Sequence, residues 1–271
     1  MGLAMRRRKL AERIVGIGRR AASLEKALKA GAVDCITTDL QAGARHADLT
    51  VLATPVESFG GIAAGLAQCM KKGAVLTEVG STKESVIDAV GKALKERSDI
   101  AFIPTHPMAG SEKRGPENAL PYLFEGSVCI FTPPDDAPRE AVQRLQELWE
   151  ALGAAVCFMS PQQHDRLVAR ISHVPHLAAA ALINSIEAEE GRFSGKGLVD
   201  ATRIASGEPQ MWAGICRSNS RMVIDAIDSY IGALSAARNL IASQDFTGLE
   251  SWLAEAGKKR ANILKRKAEG E

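Results

Sequence analysis

The sequence predicts an α/β fold, a Rossmann-type doubly wound and mostly parallel sheet, followed by an all-α domain. Between residues 14 and 159, short apolar runs alternate with helical stretches, the pattern of parallel strands covered by helices on both faces. From residue 161 onward the periodicity is helical and no strand candidate follows. We therefore expect a Rossmann-like domain over residues 1–160 and a separate helical domain over residues 161–271.

The expected strands are short, apolar and bounded by glycine, proline or small polar residues. They lie at residues 14–18, 48–54, 74–79, 100–104, 128–131 and 154–159. Helices are expected between them at residues 21–30, 57–70, 84–97 and 139–152, and the first of these ends at Gly31. In the second domain we expect helices at residues 161–171, 177–186, 222–242 and 249–267, with Ser160 as the N-cap before Pro161.

A Rossmann sheet normally opens with a strand and a G-x-G-x-x-G turn, and this sequence has neither. Gly16 and Gly18 lie in the first expected strand, but the residues after them do not complete the fingerprint. Residues 1–5 instead resemble the middle of the helix that follows such a turn, and the basic residues 6–9 suit its last turn. We therefore expect the missing strand and turn to be encoded upstream of Met1, which leaves the first domain N-terminally incomplete.

Composition excludes several classes of partner. The 271 residues carry a formal net charge of +2 and only 4% aromatic residues, so nothing indicates binding to nucleic acid or to an anionic membrane. The five cysteines are scattered and form no Cys-x-x-Cys pair, as expected for reduced thiols rather than disulfides or a zinc site. Because no apolar run is long enough to span a bilayer, we expect a cytoplasmic protein.

Three expected strands end at residues that suit a binding site. In an open parallel sheet, ligands bind beyond the carboxyl ends of the strands. Thr54 with Pro55, Ser81, and His106 each follow such a strand, so we expect them to meet in one crevice. His106 opens a stretch to Gly115 that contains proline, glycine and an acid, as active-site loops do. The alternative is a polar surface loop whose histidine is incidental.

The residues after the first expected strand bear on the choice of cofactor. In a dinucleotide-binding fold, an acid at this position bonds the 2′-hydroxyl of NAD, whereas arginine accommodates the 2′-phosphate of NADP. Gly18 is followed here by Arg19 and Arg20 and by no acid. These residues favour NADP over NAD, unless both arginines are solvated loop charges.

Two histidines and an acid–arginine pair stand out in the helical half. His173 and His176 share one face of a helix, but no further ligands accompany them, so we expect no metal site. Asp200 precedes Arg203 by three residues and can hold its guanidinium through an ion pair on one helical face. Arg203 is then placed to bind a carboxylate in bidentate fashion, unless the pair is an ordinary surface ion pair.

Two further features concern packing. Trp212 either packs in the core or forms the wall of a pocket. The helix at residues 177–186 is apolar and rich in alanine, and such a helix more often lies in a domain or dimer interface than in a site. We therefore expect a homodimer with such helices, including this one, packed across the interface.

These motifs, in this order, resemble the prephenate dehydrogenase (arogenate/cyclohexadienyl dehydrogenase) family from about Gly2 to the C-terminal helices. The resemblance rests on residues 79–83, 106–115, 124–126, 172–176, 200–203 and 209–212. It implies an NAD(P)-dependent oxidoreductase of tyrosine biosynthesis, with a dinucleotide-binding domain and a helical domain that binds substrate and dimerises. The implied reaction is the oxidative decarboxylation of prephenate to 4-hydroxyphenylpyruvate.

The resemblance also implies roles for individual residues. His106 matches the catalytic histidine that hydrogen-bonds the C4 hydroxyl of the substrate, and Ser81 matches the serine that orients it. The implied substrate-binding residues are His176, Arg203, Asp200, Ser172, His173, Glu112 and Trp212. The expected cofactor-binding residues are Gly18, Arg19 and Arg20 at the end of the first strand, and Thr54, Pro55 and Ser81 after the later strands.

Other functions remain open at this point. His176 and Glu112 together favour prephenate as substrate, and the alternative is an arogenate dehydrogenase that makes tyrosine directly. A β-hydroxyacid dehydrogenase or a pyrroline carboxylate reductase has two such domains but does not need the His106 segment. A chain without the glycine-rich turn can also be an inactive, cofactor-deficient binding protein, since the backbone amides of that turn hold the pyrophosphate.

Overall fold

The structure is a computed structural model that describes residues 1–110 and 115–269, with side chains described up to residue 266. Its strands, β1 to β7, are Val15–Ile17, Cys35–Thr37, Leu49–Leu52, Val75–Glu78, Ala101–Pro107, Val128–Phe131 and Ala155–Phe158. Its α-helices, α1 to α12, are Gly2–Arg7, Ala21–Lys29, Leu40–Ala44, Phe59–Ala67, Glu84–Ala93, Arg139–Ala151, Pro161–Val168, Val174–Asn184, Lys196–Thr202, Pro209–Ser218, Ser220–Ala242 and Phe246–Glu269. Strands alternate with helices up to β7, and the described residues after β7 form helices alone, which confirms the predicted fold class.

Five strands form the main sheet, in the order β3-β4-β5-β6-β7. β3, β4 and β5 are parallel, β6 runs antiparallel to β5, and β7 is parallel to β6. β1 and β2 form a separate parallel pair. The sheet is mostly parallel, as predicted, but no ladder between described strands joins β1 to β3, so the strands lie in two sheets instead of one.

Among the elements before β7, two were missed from the sequence because they are short. β2 has three residues and α3 has five, too few for a clear hydrophobic period. The signal that was present is Asp39, which caps α3 by accepting hydrogen bonds from Gln41 N at 2.9 Å and Ala42 N at 3.1 Å.

The fifth strand is longer than predicted. We expected it to end at residue 104 and a loop to begin near His106, but β5 continues to Pro107. The added residues pair with β6, and His106 lies opposite Ile130. Because β6 lies more than 20 residues away in the sequence, local periodicity does not show this extension. His106 is therefore held in a strand and not in a loop, which corrects the prediction.

Helices cover both faces of the main sheet. On one face, β3 and β4 pack against α4 and α5 through the fully buried side chains of Phe59, Leu66 and Val90. On the other, β5 and β6 pack against α6, where Trp149 is buried and meets Phe124 edge to face at 5.1 Å. A sheet buried on both faces explains why its strands are apolar throughout.

The helical part begins with a well-formed cap. The Ser160 side chain accepts a hydrogen bond from Gln163 N, the Gln163 side chain accepts one from Ser160 N, and Pro161 occupies the first turn, as predicted. The helix expected at residues 161–171 instead ends at Val168. A π-helical turn, Ala169–His173, links it to α8. Such turns are frequent at functional sites, since they rotate the side chains that follow.

Packing divides the chain into one compact unit at Met1–Ser220 and a second at Arg221–Glu271. The domain boundary that we place at residue 160 remains a prediction. No helix among the described residues is both long enough and apolar enough to cross a lipid bilayer.

A buried ion pair joins β4 to the segment before α5. Lys83 and Glu78 are both fully buried, and Lys83 Nζ contacts Glu78 Oε1 and donates to Gly80 O at 3.0 Å. The other carboxylate oxygen of Glu78 accepts from Gly80 N at 2.6 Å. Burial raises the pKa of Glu78 and lowers that of Lys83, and their mutual attraction opposes both changes. Each charge therefore depends on the other.

Removing one member of this pair is expected to destabilise the fold strongly. We expect Lys83→Met to lower the free energy of unfolding by about 3–5 kcal/mol, because Glu78 stays buried without its cation. The double variant Glu78→Leu/Lys83→Met removes both charges and should lose less than the single variant. Urea unfolding measures these values.

The control is Lys92→Met, which removes an exposed ion pair with Asp88 on α5. It should lower the free energy of unfolding by less than about 1 kcal/mol. If the double variant loses as much as Lys83→Met or more, the buried charges are not coupled as described.

Candidate active site

The carboxyl ends of β3, β4 and β5 lie along one edge of the main sheet, because the three strands are parallel neighbours. Thr54 follows β3, and its hydroxyl lies 2.7 Å from that of Ser58. Ser81 follows β4 and is half-buried, and His106 lies near the end of β5. The topology thus brings the predicted strand-end residues to one edge, as a nucleotide-binding sheet requires.

His106 is joined to a second histidine that the sequence analysis did not single out. His106 Nδ1 lies 2.8 Å from His164 Nε2, and the ring centroids are 5.0 Å apart. His164 Nδ1 in turn lies 2.7 Å from Asp165 Oδ1. His164 and Asp165 are adjacent on α7 and are both buried. Three side chains therefore form a continuous hydrogen-bonded chain from β5 to α7.

Asp165 is itself anchored on the first turn of α5. Its Oδ1 accepts from Lys83 N at 2.8 Å and its Oδ2 accepts from Glu84 N at 2.9 Å. Lys83 is the N-cap residue of α5 and has no capping hydrogen bond from its own side chain. The carboxylate on α7 thus satisfies free N–H groups at the start of α5, where the helix dipole also favours a negative charge.

Burial keeps both histidines neutral near physiological pH. It lowers the pKa of His106 well below 6.5, and the positive charge of Lys83 adds to the effect. Burial also lowers the pKa of His164, although the hydrogen bond to Asp165 opposes the change. A neutral imidazole at His106 can accept a proton, as a general base must.

A second cluster contains the two histidines predicted in the helical half. The ring of His176 stacks on Trp212 at 3.6 Å with an interplanar angle of 10°, and His173 meets the same indole edge-on at 6.2 Å. Asn219 Nδ2 donates to Asp165 O at 2.8 Å and lies 3.4 Å from His173 Nδ1. Asn219 therefore connects this cluster to the hydrogen-bonded side chains of Asp165, His164 and His106.

His173 has an unused polar atom. Its Nε2 is buried and has no hydrogen-bond partner within the described part of the chain. Because Nδ1 faces a donor, Asn219 Nδ2, it is the acceptor, and Nε2 carries the hydrogen in the neutral ring. Burial lowers the pKa of His173 to about 4. The ring thus presents a buried N–H donor, the kind of group that a polar ligand satisfies.

Arg203 lies in the 3₁₀ helix Arg203–Ser206, which packs against α8. The next residue, Gly207, packs so tightly that an added Cβ would lie 2.4 Å from Trp212 Nε1 and 2.5 Å from His176 Cε1. Asp200 belongs to the preceding α9, and Arg203 is the first residue after it. Both side chains are exposed.

The remaining predicted residues are placed as follows. Ser172 is half-buried in the π-helical turn. Within the described residues, no hydrogen bond joins Ser81 to His106, whose Nδ1 is hydrogen-bonded to His164 Nε2. Glu112 lies outside the described residues. His164 and Asp165 were missed because a His-Asp dipeptide in a helix has no distinctive spacing, although the cap at Ser160 did mark the helix that carries them.

The predicted cofactor-binding residues lie at two places in the fold. Gly18 follows β1, with its N–H bonded to Thr37 O at 3.3 Å, and Arg19 and Arg20 are exposed directly before α2. No acid lies in the first turn of α2, where the helix dipole favours an anionic group. Thr54 and Pro55, which follow β3, are exposed.

Two family models match this chain. The prephenate dehydrogenase nucleotide-binding domain matches residues 1–158, and the prephenate dehydrogenase dimerization domain matches residues 160–255. A cyclohexadienyl dehydrogenase of Zymomonas mobilis is 34% identical, over 84% of this chain and 79% of its own length. A prephenate dehydrogenase of Bacillus subtilis is 33% identical, over 92% of this chain and 68% of its own length.

Solved structures agree with these matches. Prephenate dehydrogenase from Aquifex aeolicus, in complex with hydroxyphenyl propionate and NAD+, has a TM-score of 0.90 at 31% identity and covers 97% of this chain and 93% of its own. Synechocystis arogenate dehydrogenase has a TM-score of 0.82 at 26% identity, over 97% and 95% of the two chains. Together with the site geometry, these likenesses show that the chain belongs to the prephenate dehydrogenase family of oxidoreductases.

Proposed function

We propose that this protein catalyses the NAD(P)-dependent oxidative decarboxylation of prephenate to 4-hydroxyphenylpyruvate in tyrosine biosynthesis. The observation that carries the proposal is the neutral, half-buried His106, held by His164 at the edge of the sheet where nucleotides bind. The relatives support it, since those of Zymomonas mobilis and Bacillus subtilis are a cyclohexadienyl and a prephenate dehydrogenase. The unpaired cysteines are consistent with a cytoplasmic enzyme.

His106 serves as the general base in this proposal. It accepts the proton of the C4 hydroxyl while C4 loses hydride. The carboxylate on C1 leaves as CO2, and the electron pair of the broken C–C bond enters the ring, which becomes aromatic. The resulting phenolate oxygen takes the proton back from His106, which gives the phenol and restores the neutral base. A bound nicotinamide supplies the hydride acceptor. Burial of His106 makes it a neutral acceptor at the pH at which ordinary histidines are partly protonated.

The helical cluster binds the substrate in this proposal. The His173 Nε2–H is an unpaired donor for a substrate oxygen, and the stacked His176 and Trp212 provide a flat wall beside the ring. Arg203 binds a substrate carboxylate, with its helix positioned by the close packing at Gly207. Roles for Asp200, Ser172 and Glu112 beside this wall are proposed on the family resemblance alone.

The cofactor is proposed to lie along the sheet edge, with Ser81, Thr54 and Pro55 beside the nicotinamide. Arg19 and Arg20, exposed at the start of α2 after Gly18, would bind the 2′-phosphate of NADP. We therefore propose a preference for NADP. The structure from Aquifex aeolicus contains NAD+, so NAD is the competing choice.

Arogenate is the second candidate substrate, because the Synechocystis arogenate dehydrogenase shares the fold at a TM-score of 0.82. Turnover is measured from the absorbance of the reduced cofactor, with prephenate or arogenate and with NAD or NADP. We expect kcat/KM to be highest with prephenate and NADP. Higher kcat/KM with arogenate or with NAD would overturn that part of the proposal, and no turnover with any pairing would overturn the whole of it.

The same assay tests the base. His106→Asn should lower kcat by about 100-fold or more, the usual contribution of a general base. In the wild type, kcat should stay level as pH falls below 6.5 and decline only when the pH passes the lowered pKa of His106, because the neutral form is the active one. The control His46→Asn changes an exposed histidine on the surface and should leave kcat unchanged. A decline centred at or above 6.5 would contradict the assignment.

We also propose a homodimer built through the second compact unit. α11 and α12 expose a series of large apolar side chains: Ile224, Tyr230, Ile231, Leu234, Ile241, Phe246, Leu253, Ile263 and Leu264. Exposed apolar surface of this extent usually marks an interface between proteins. The dimerization-domain match to residues 160–255 supports the proposal.

Sedimentation velocity should give the mass of two chains at micromolar concentration. The double variant Ile231→Glu/Leu234→Glu places charges in the apolar surface and should sediment as one chain. Val128→Glu changes an exposed apolar residue in the other unit and is the control, expected to remain dimeric. If the double variant stays dimeric, the interface lies elsewhere.

A further inference from the structure

The hydrogen bonds around Asp165 determine its charge state. Lys83 N and Glu84 N are peptide N–H groups and can only donate, and they bond to Oδ1 and Oδ2 of the carboxyl group at 2.8 and 2.9 Å. Both oxygens of Asp165 must therefore accept, as in an ionised carboxylate. The position at the start of α5 favours the same state, since the helix dipole places positive charge there.

This charge state determines the tautomer of His164. Its Nδ1 lies 2.7 Å from Asp165 Oδ1, which is an acceptor, so Nδ1 must carry a hydrogen. The ring is neutral because burial lowers its pKa. A neutral imidazole has only one N–H, so His164 Nε2 is left with a lone pair.

The same reasoning reaches His106. Its Nδ1 lies 2.8 Å from the lone pair of His164 Nε2 and must therefore donate. Building on the proposed function, we infer that Asp165 and His164 fix His106 as its Nδ1–H tautomer, so that Nε2 is the atom that accepts the hydroxyl proton of the substrate. His164 and Asp165 act through His106 and are positioning residues.

The direction in which these hydrogen bonds donate, from His106 to His164 to Asp165, also matters once His106 has taken up a proton. Its Nδ1–H then donates to His164 Nε2 as a charged donor, and charged donors make the stronger hydrogen bonds. The proton balance closes on one atom, since the hydroxyl O–H bond breaks as an Nε2–H bond forms, and Nε2 returns the proton to the phenolate oxygen after CO2 has left. With the opposite tautomers, His106 would present Nε2–H to the substrate and accept nothing.

The tautomers can be observed directly in the whole protein, independently of activity. Histidine labelled with 15N gives long-range 1H–15N correlations that separate protonated from unprotonated ring nitrogens. The chain has five histidines, so the spectrum is small. We expect Nδ1 to be protonated and Nε2 unprotonated in both His106 and His164. His46→Phe identifies the signals of the exposed histidine and should leave the others unchanged.

Kinetics supply the second measurement. His164→Phe keeps a ring of similar shape but removes the acceptor for His106 Nδ1, so the fixed tautomer should be lost and kcat should fall by about 100-fold with little change in KM. His164→Gln can return an amide oxygen to the position of Nε2 and should recover part of the lost kcat. His46→Phe is the matched substitution at the surface and should retain full kcat.

Failure of this inference differs from failure of the proposed function. If His106 Nε2 is protonated in the wild-type spectrum, the inference is wrong, even if prephenate is turned over. If His164→Phe keeps full kcat, His164 and Asp165 have no positioning role. If the tautomers are as stated but no substrate is turned over, the proposed function fails and the tautomer assignment stands. Should His164→Phe not fold, the wild-type spectrum and His164→Gln still decide the question.

Discussion

The site depends on one carboxylate, that of Asp165. It satisfies two N–H groups at the start of α5 and, with the same Oδ1, holds the ring of His164. The turn between β4 and α5 is thereby tied to α7, and His106 on β5 is aligned against His164. The position of His106, and the tautomer inferred for it, follow from a helix cap that comes from a different helix. Such a cap couples the geometry of the site to the stability of the fold.

The core explains why the fold was predictable in outline. Strands covered by helices are mainly apolar, so β3, β4, β6 and β7 were found within one or two residues of their ends. β2 was missed because three residues carry no period, and the end of β5 was missed because its last residues form a ladder with a strand far along the chain. The split into two sheets likewise depends on pairing between strands, which no local pattern reveals.

The site was predictable where chemistry follows a strand end or a family motif, and not where it depends on packing. His106 was found because a histidine follows an apolar run. His173, His176 and Trp212 belong to two motifs of the resemblance, residues 172–176 and 209–212, and they lie in one cluster. His164 and Asp165 gave no signal, since their partners are backbone atoms and a ring more than 50 residues away. Asp200 and Arg203 lie in successive helical elements, and their pairing stays a prediction.

The central claim is that His106 Nε2 faces the reacting hydroxyl while Arg203 binds a carboxylate. A crystal structure of this protein with NAD+ and hydroxyphenyl propionate tests both at once, because the ligand carries a phenolic oxygen and a carboxylate. We expect the phenolic oxygen within about 3 Å of His106 Nε2. We expect the carboxylate to be bound by Arg203, beside the stacked His176 and Trp212. A complex in which the phenolic oxygen bonds to another side chain, and His106 Nε2 bonds only to water, would contradict the account.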